Sequence, residues 1–355
     1  MSKTVGIIGA GIAGLALSIR LANQGFAVTV FEKNSYPGGK LSELNTNGFR
    51  FDKGPSLFTM PSLIEELTNL QESSHPFEYQ KLDVITNYFY SDGTQLKASA
   101  NIEDFAEEVH LKLNEKKETV LKYIKRNAFY FKTTEDLFLK QSLHQIKNFI
   151  NFKTLKGILL SPFLGLFCTM NEKNSRTFSN PKTVQLFNRF ATYNGSNPYK
   201  APALMNMISH LEFNLGAYLP KKGMHQITTH LVKLAEEANV TINYNATVEA
   251  LEVGSNNRIT SIKSDGVKYP FDIVVSDVDI HLLYNYLLPK SFTPKKLIQQ
   301  EKSSSAYVFY WGINKEFAAL GLHNILFSDD YKKEFDHLFS KQFPTDDPTI
   351  YINIT

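Results

Sequence analysis

Apolar residues fall along this chain in two rhythms. Residues 4–9 (TVGIIG) form an unbroken apolar run, which predicts a short buried strand. Residues 12–24 (IAGLALSIRLANQ) predict a helix, and residues 27–31 (AVTVF) a second strand. Residues 61–69 predict a short helix with Pro61 at its start. Residues 77–98 alternate in short pieces, with Asp92-Gly93 as a hairpin turn. Asn101 is placed to cap a helix that begins IEDFAEEV, with acids in its first turn. A long helical pattern covers 114–150, with Leu121, Ile124, Phe129, Phe131, Leu137, Leu143, Ile146 and Phe149 among its apolar positions. Residues 195–202 are a loop and 225–238 an amphipathic helix. Strands are predicted for TINYNATVEAL at 241–251, FDIVVSD at 271–277 and the strongly β-prone AYVFYWGI at 306–313. The final PTIYINIT alternates Ile350, Ile352 and Ile354 against Tyr351, Asn353 and Thr355, as a strand does. There is no internal repeat and no low-complexity tract.

At 355 residues the chain is too long for one core, which predicts two interleaved domains. A hydrophobic content of 43% is ample for globular folding, and a net charge of +3 is too small to argue for nucleic acid. The single cysteine, Cys168, excludes an internal disulfide and suits a reducing cytoplasm; its apolar surroundings predict a buried, inert thiol. Nine histidines are scattered without metal-ligand spacing, and His225 and His230, five apart, do not share a helix face. No metal is expected. The first apolar segment is broken by Gly6, Gly9, Gly11 and Gly14, unlike a signal peptide. No run reaches the roughly eighteen apolar residues of a membrane span. The longest candidate, GILLSPFLGLFCTM at 157–170, is too short and contains Pro162.

The chemistry begins between the first strand and the first helix. Gly9, Ala10, Gly11, Ile12, Ala13 and Gly14 form G-x-G-x-x-G, and Glu32 ends the next strand eighteen residues past Gly14. In the strand–turn–helix–strand context this pattern points to a dinucleotide site. Gly9 allows the tight turn, Gly11 lets a diphosphate approach the backbone, and Gly14 lets helix and strand pack closely. The phosphates would then meet free N–H groups at a helix N-terminus. Glu32 is placed to accept from ribose hydroxyls and would repel a 2′-phosphate, which argues against NADP. The alternative for the same residues is an ordinary βαβ unit whose glycines serve packing.

The residues after Glu32 favour FAD over NAD. In EKNSYPGGKL at 32–41, Gly38 and Gly39 followed by Lys40 would set bare backbone and a cation near a second part of a long cofactor. Asp52, Gly54 and Pro55 form another tight turn. Each alone reads equally well as a plain loop; three in order within fifty-five residues are less common.

These segments resemble the flavin-dependent amine oxidase and carotenoid desaturase superfamily, and most of all the bacterial phytoene desaturase family. GIIGAGIAGL at 6–15, EKNSYPGGKL at 32–41, FRFDKGPS at 49–56 and PKKGMHQITTHLVKLAEEANVTINYNATVEAL at 220–251 carry the resemblance. RFATYNGSNPYKAPAL at 189–204 and SSSAYVFYWGI at 303–313 narrow it toward desaturases acting late in carotenoid synthesis, such as the 1-hydroxycarotenoid 3,4-desaturases. Lys40 departs from the family's usual Arg, keeping the charge but losing the bidentate fork.

The resemblance implies an α/β fold: a Rossmann-like FAD-binding domain with an interleaved α+β substrate domain. The expected division is 1–75 and 220–282 for FAD binding, and 76–219 and 283–355 for substrate. It implies FAD as cofactor, held by the Gly9–Gly14 loop, Glu32, Lys33, Gly38, Gly39, Lys40, Leu41, Gly54, Pro55 and Ser56, with the backbone of Val248 against the adenine. It also implies a carotenoid substrate, into which double bonds are introduced, and a dry tunnel lined by some of the 27 Phe and 17 Tyr. The same aromatics could simply build a large core. No paired constellation identifies a general base, and no nucleophile elbow is present. Family members continue past this chain's last residue to a glycine-rich segment that closes over the flavin, so a C-terminally truncated chain is expected. Two other readings remain: a flavin oxidase acting on an amine or a porphyrinogen, and an inactive flavoprotein fragment.

A carotenoid resides in the membrane. Residues 111–160 hold eleven Lys/Arg against four Asp/Glu. With the apolar run after them, they suit a peripheral, monotopic surface on anionic headgroups at the cytoplasmic face. A solvated helix with its lysines in water is the plainer alternative.

Overall fold

A computed structural model describes residues 2–139, 141, 142, 145 and 164–354. The predicted helical positions Leu143, Ile146 and Phe149, and residues 157–163 of the apolar run at 157–170, lie outside the described residues. The chain divides into two units, one of residues 1–80 and 218–301, the other of residues 81–217 and 302–355. The first unit opens with β1 (Thr4–Ile8), α1 (Ile12–Asn23), β2 (Ala27–Phe31), β3 (Glu43–Thr46), β4 (Phe49–Asp52), α2 (Ser62–Leu70) and β5 (Tyr79–Lys81). The second continues with β6 (Val84–Phe89), β7 (Gln95–Ser99), α3 (Ile102–Leu113), α4 (Lys117–Leu139), α5 (Met170–Thr177) and α6 (Pro181–Asn188). The chain then returns through β8 (Tyr218–Pro220), α7 (Gln226–Glu237), β9 (Thr241–Asn243), β10 (Val248–Val253), β11 (Ile259–Ser264), β12 (Val267–Pro270) and β13 (Ile273–Ser276). It ends with β14 (His323–Leu326), α8 (Tyr331–Asp336) and β15 (Ile350–Asn353).

The first unit is built on a four-stranded parallel sheet in the order β13-β1-β2-β9. Strand side chains alternate between faces, and both faces of β1 are covered. Val5 and Ile7 join Leu15 and Ile19 of α1 and Leu231 and Leu234 of α7 in one buried cluster. Ile8 joins Phe31, Leu251 and Ile262 in a second. That second layer includes the antiparallel meander β10-β11-β12. A side chain on Gly6 would meet the Phe271 ring at 2.6 Å, so the two layers close directly over bare backbone. The order reverses at β1: β2 and β9 lie on one side and β13 on the other. Such a switch point leaves a crevice at the carboxyl ends of the strands, where ligands of open α/β sheets bind.

The second unit holds a four-stranded sheet, β15-β14-β6-β7, in which only β14 and β6 run parallel. Its helix starts obey the sequence. Asn101 accepts from Glu103 N and Asp104 N, Thr169 and Glu172 form a capping box on α5, and Asn180 caps α6 ahead of Pro181. Tyr88, Phe105, Tyr123, Phe187 and Phe190 are fully buried. Among them lies one ion pair. Arg189 Nη2 is 2.6 Å from Glu212 Oε2, Arg189 Nε donates to Tyr88 Oη at 2.8 Å, and Tyr193 Oη donates to Glu212 Oε1. The guanidinium also lies 4.3 Å from the centre of the Phe190 ring.

Four expectations change. The single strand at 241–251 is two: β9 pairs with β2 in the parallel sheet, β10 pairs with β11 in the meander, and Asn245 turns the chain between them at φ 55°. The β-prone 306–313 has no regular structure, and Tyr307, Phe309 and Trp311 are 76%, 74% and 72% exposed. High β-propensity describes fit to a pleated, half-buried surface, and no described strand pairs with this segment. Cys168, expected buried, is partly exposed. The last passage between units falls at 301/302 where 282/283 was expected, because Leu283, Leu287 and Leu288 pack on the cluster around Ile8 and Leu251.

Candidate functional site

The glycine-rich loop sits at the carboxyl end of β1, at the switch point. Gly9 adopts φ 101°, a conformation that other residues rarely take, and its N–H donates to Phe31 O at 2.8 Å. This turn delivers Gly11 as the residue that opens α1. The N–H groups of Gly11 and Ala13 find no acceptor among the described residues, as expected of donors at the head of a helix. They aim unspent hydrogen bonds and the positive end of the helix dipole into the crevice. Gly14 is needed for packing: a Cβ there would lie 2.1 Å from Gly9 O.

The two later glycine turns close on the first. Gly38 forms a bridge with Gly11, and its N–H donates to Ala10 O at 2.8 Å. A Cβ on Gly38 would stand 2.4 Å from Leu41 O, and one on Gly39 3.4 Å from Gly11 Cα. The carbonyl of Leu41 also accepts from Thr228 Oγ1 of α7 at 2.9 Å. Gly54 has no room for a side chain, since its Cβ would lie 1.9 Å from Lys40 O. Gly9–Gly14, Gly38–Leu41 and Gly54 therefore form one continuous glycine-lined surface. Pro55 and Ser56 come directly after Gly54, with Pro55 exposed; Lys33 and Lys40 are exposed on either side of the Gly38 turn.

Glu32 lies beside this surface, only 5% exposed. Its Oε1 accepts from Asn34 N at 2.9 Å and Asn34 Nδ2 at 2.8 Å; its Oε2 accepts from Ala10 N at 2.9 Å. Oε1 has thus spent both lone pairs, and Oε2 keeps one for a further donor. The backbone of Glu32 is tied to the strand region carrying Val248: its N–H donates to Asn243 O and its carbonyl accepts from Ala246 N, each at 2.8 Å. Val248 packs on the cluster of Ile8 and Phe31, at the same end of the sheet.

Three contributors act through contacts that have no local signal in the sequence. Asp277, after β13, accepts from Gly14 N at 3.0 Å. Burial pushes its carboxyl above the ordinary range, against the opposing pull of that N–H. Asp52 accepts from Met224 N at 3.0 Å and His225 N at 3.2 Å, and pairs with Arg50 Nη2 at 2.7 Å. It caps α7, whose own N-cap residue supplies no side-chain bond. Thr228 holds the Gly38–Leu41 turn. Each partner is remote in sequence, so periodicity and spacing could not have found it. Among the described residues no cluster of His, Cys, Asp and Glu could hold a metal ion.

The family model described as flavin containing amine oxidoreductase matches residues 12–318. Over 100% of its length the chain is 45% identical to a 1-hydroxycarotenoid 3,4-desaturase of Flavobacterium sp. (strain P99-3), spanning 72% of that protein. Over 99% it is 30% identical to a 4,4'-diaponeurosporene oxygenase of Staphylococcus haemolyticus, spanning 70% of it. Among solved structures, a triple mutant of putrescine oxidase superposes with a TM-score of 0.55 at 15% identity, covering 84% of this chain and 62% of that one. At that identity the likeness concerns the fold.

Proposed function

Because the chain belongs to the flavin containing amine oxidoreductase family, and is an FAD-dependent oxidoreductase of that family, we propose that it desaturates a carotenoid, introducing carbon–carbon double bonds into an apolar polyene. One observation carries the reading. A glycine-lined dinucleotide crevice with unspent N–H groups belongs to a chain 45% identical, end to end, to a 1-hydroxycarotenoid 3,4-desaturase. Bound FAD supplies the two-electron acceptor that such a dehydrogenation requires.

Each part of the crevice would hold a different part of that cofactor. The N–H groups of Gly11 and Ala13 meet the diphosphate, and the bare backbone at Gly38, Gly39 and Gly54 lets the long cofactor lie close. Glu32 receives a ribose hydroxyl on the remaining lone pair of Oε2. Val248 backs the adenine, and Lys33 and Lys40 offer positive charge at the rim. The orphaned N–H groups and the cradle that any Cβ would fill both fit the group. The substrate's apolar character supports a second part of the proposal, docking as a peripheral protein on the cytoplasmic face of the membrane. No described helix is long and apolar enough to cross a bilayer, and the lysine excess over residues 111–160 suits anionic headgroups.

Expression in a host that accumulates phytoene or lycopene tests the reading. The expected result is a yellow protein carrying FAD and pigments absorbing at longer wavelength. A flavin-loaded protein that leaves the pigments unchanged refutes desaturation, and a colourless protein refutes the cofactor site. Failure to co-sediment with anionic vesicles at low salt would remove the membrane part.

A further inference from the structure

The carboxylate of Asp277 lies where an anionic ligand would be bound. Its Oδ2 is 3.0 Å from Gly14 N and 2.9 Å from the point a Cβ on Gly11 would occupy. Its Cβ is 3.7 Å from the corresponding point on Gly9. One acid thus touches the space around all three glycines of the fingerprint, at the positive end of a twelve-residue helix. A dinucleotide's diphosphate is drawn to the same end by the same forces. We propose that Asp277 gates cofactor loading: its carboxylate competes with the diphosphate for the start of α1, so binding is coupled to the uptake of a proton by this side chain. The inference rests on the reading of this loop as an FAD site.

The surroundings support it. Ionisable groups on the elements around Asp277 include Glu32 at the end of β2, Lys33 and Lys40 flanking the Gly38 turn, Arg20 in the last turn of α1, Lys263 on β11, and Asp279 and His281 just beyond Asp277 in the chain. None of them moves the titration of Asp277; burial raises it and the Gly14 N–H lowers it. Glu32 is engaged with Ala10 and Asn34, and Asp279 with His281 N. Arg20 pairs with Glu66 and Lys263 with Glu249, and Lys33 and Lys40 stand exposed at the rim, so among the described residues no cation is paired with Asp277 when a second anion arrives. Asp277 is exposed at the mouth of the crevice, and like charges a few Å apart at such a surface site repel by about tenfold in binding. A proton taken from solvent removes that repulsion and turns the acid into an O–H donor, able to bond a phosphate oxygen that the carboxylate would repel.

The test is calorimetry of FAD binding to the full chain in two buffers of different ionisation enthalpy. The expected result is net proton uptake, of up to one per FAD, with affinity falling as pH rises. Asp277→Asn should bind FAD and ADP about tenfold more tightly at alkaline pH, lose the pH dependence, and leave adenosine, which has no diphosphate, unaffected. No proton uptake by the wild-type chain overturns the proposal, as does weaker FAD binding by the variant. The wild-type proton balance decides even if the variant fails to fold. A wild-type chain that binds neither FAD nor ADP at any pH refutes the loop's cofactor role, and this inference with it; one that binds FAD without proton exchange refutes the gate alone.

Discussion

Replacing Gly14 by Ala tests the geometry on which the cofactor site depends. Two effects oppose each other. Alanine in place of glycine within a helix stabilises by about 1 kcal/mol. The new Cβ, however, would lie 2.1 Å from Gly9 O and 3.4 Å from Asp277 Oδ2. Carbon needs over about 3 Å from a backbone oxygen, so α1 must retreat from the β1 turn by about 1 Å. Overpacking of this kind costs about 1–3 kcal/mol. Net stability should therefore fall by up to about 2 kcal/mol, a melting shift of roughly 2–4 °C for each kcal/mol in a domain of this size. Binding should suffer more. The retreat withdraws the N–H groups of Gly11 and Ala13 from the diphosphate, and each hydrogen bond to a charged group contributes about 1.5–3 kcal/mol. Loss of even one lowers FAD affinity by about tenfold to a hundredfold. Flavin fluorescence titration alongside thermal melting measures both. Gly25→Ala is the control: Gly25, unlike Gly14, has positive φ, but nothing lies within 4 Å of its Cβ position, so it should lose stability and keep its affinity. The reasoning is refuted if Gly14→Ala binds FAD like the wild type, or if both variants lose affinity equally.

Arg189→Met strands the buried Glu212 carboxylate and should cost about 3–5 kcal/mol in urea denaturation, most of it recovered when Glu212→Leu is added. Burial, with Arg189 nearby, pushes His323 down to about 4, below the ordinary value near 6.5. The unfolded chain then binds the proton more readily, so the stability is fully present above about pH 6.5 and is lost as pH falls toward 4, by up to about 3 kcal/mol. Denaturation midpoints across that window should show the slope, and His323→Gln should flatten it. Asp52→Ala should leave the first N–H groups of α7 unpaired and cost roughly 1–3 kcal/mol, with faster hydrogen exchange at Met224 and His225; unchanged exchange there would contradict the capping role.

Local chemistry was legible because it is short-ranged. The apolar run at 4–9, the glycine triplet, the Asn101 cap and the amphipathic helix at 225–238 each depend on neighbours within a few residues, and each forms where the pattern predicts. The resemblance added the cofactor, which no single turn could have identified. The turn at Asn245 escaped because apolar alternation continues across it while the chain passes from one sheet to another. The segment at 306–313 has every strand-forming side chain and no described partner to pair with. A strand needs both.

The tertiary structure alone decided what crosses long stretches of chain. Asp277 reaches Gly14 across 263 residues, and Asp52 reaches Met224 across 172. Asp52 was marked only as part of a turn and Asp277 only as the end of a strand; neither pattern reveals the remote partner, since many acids in this chain look the same in one dimension. A hydrogen bond depends on separation in space, and only the order of strands in the sheet sets that. The chain's own letters thus specified a glycine-rich strand–turn–helix; the switch point between β1 and β13 decided which acid stands over it.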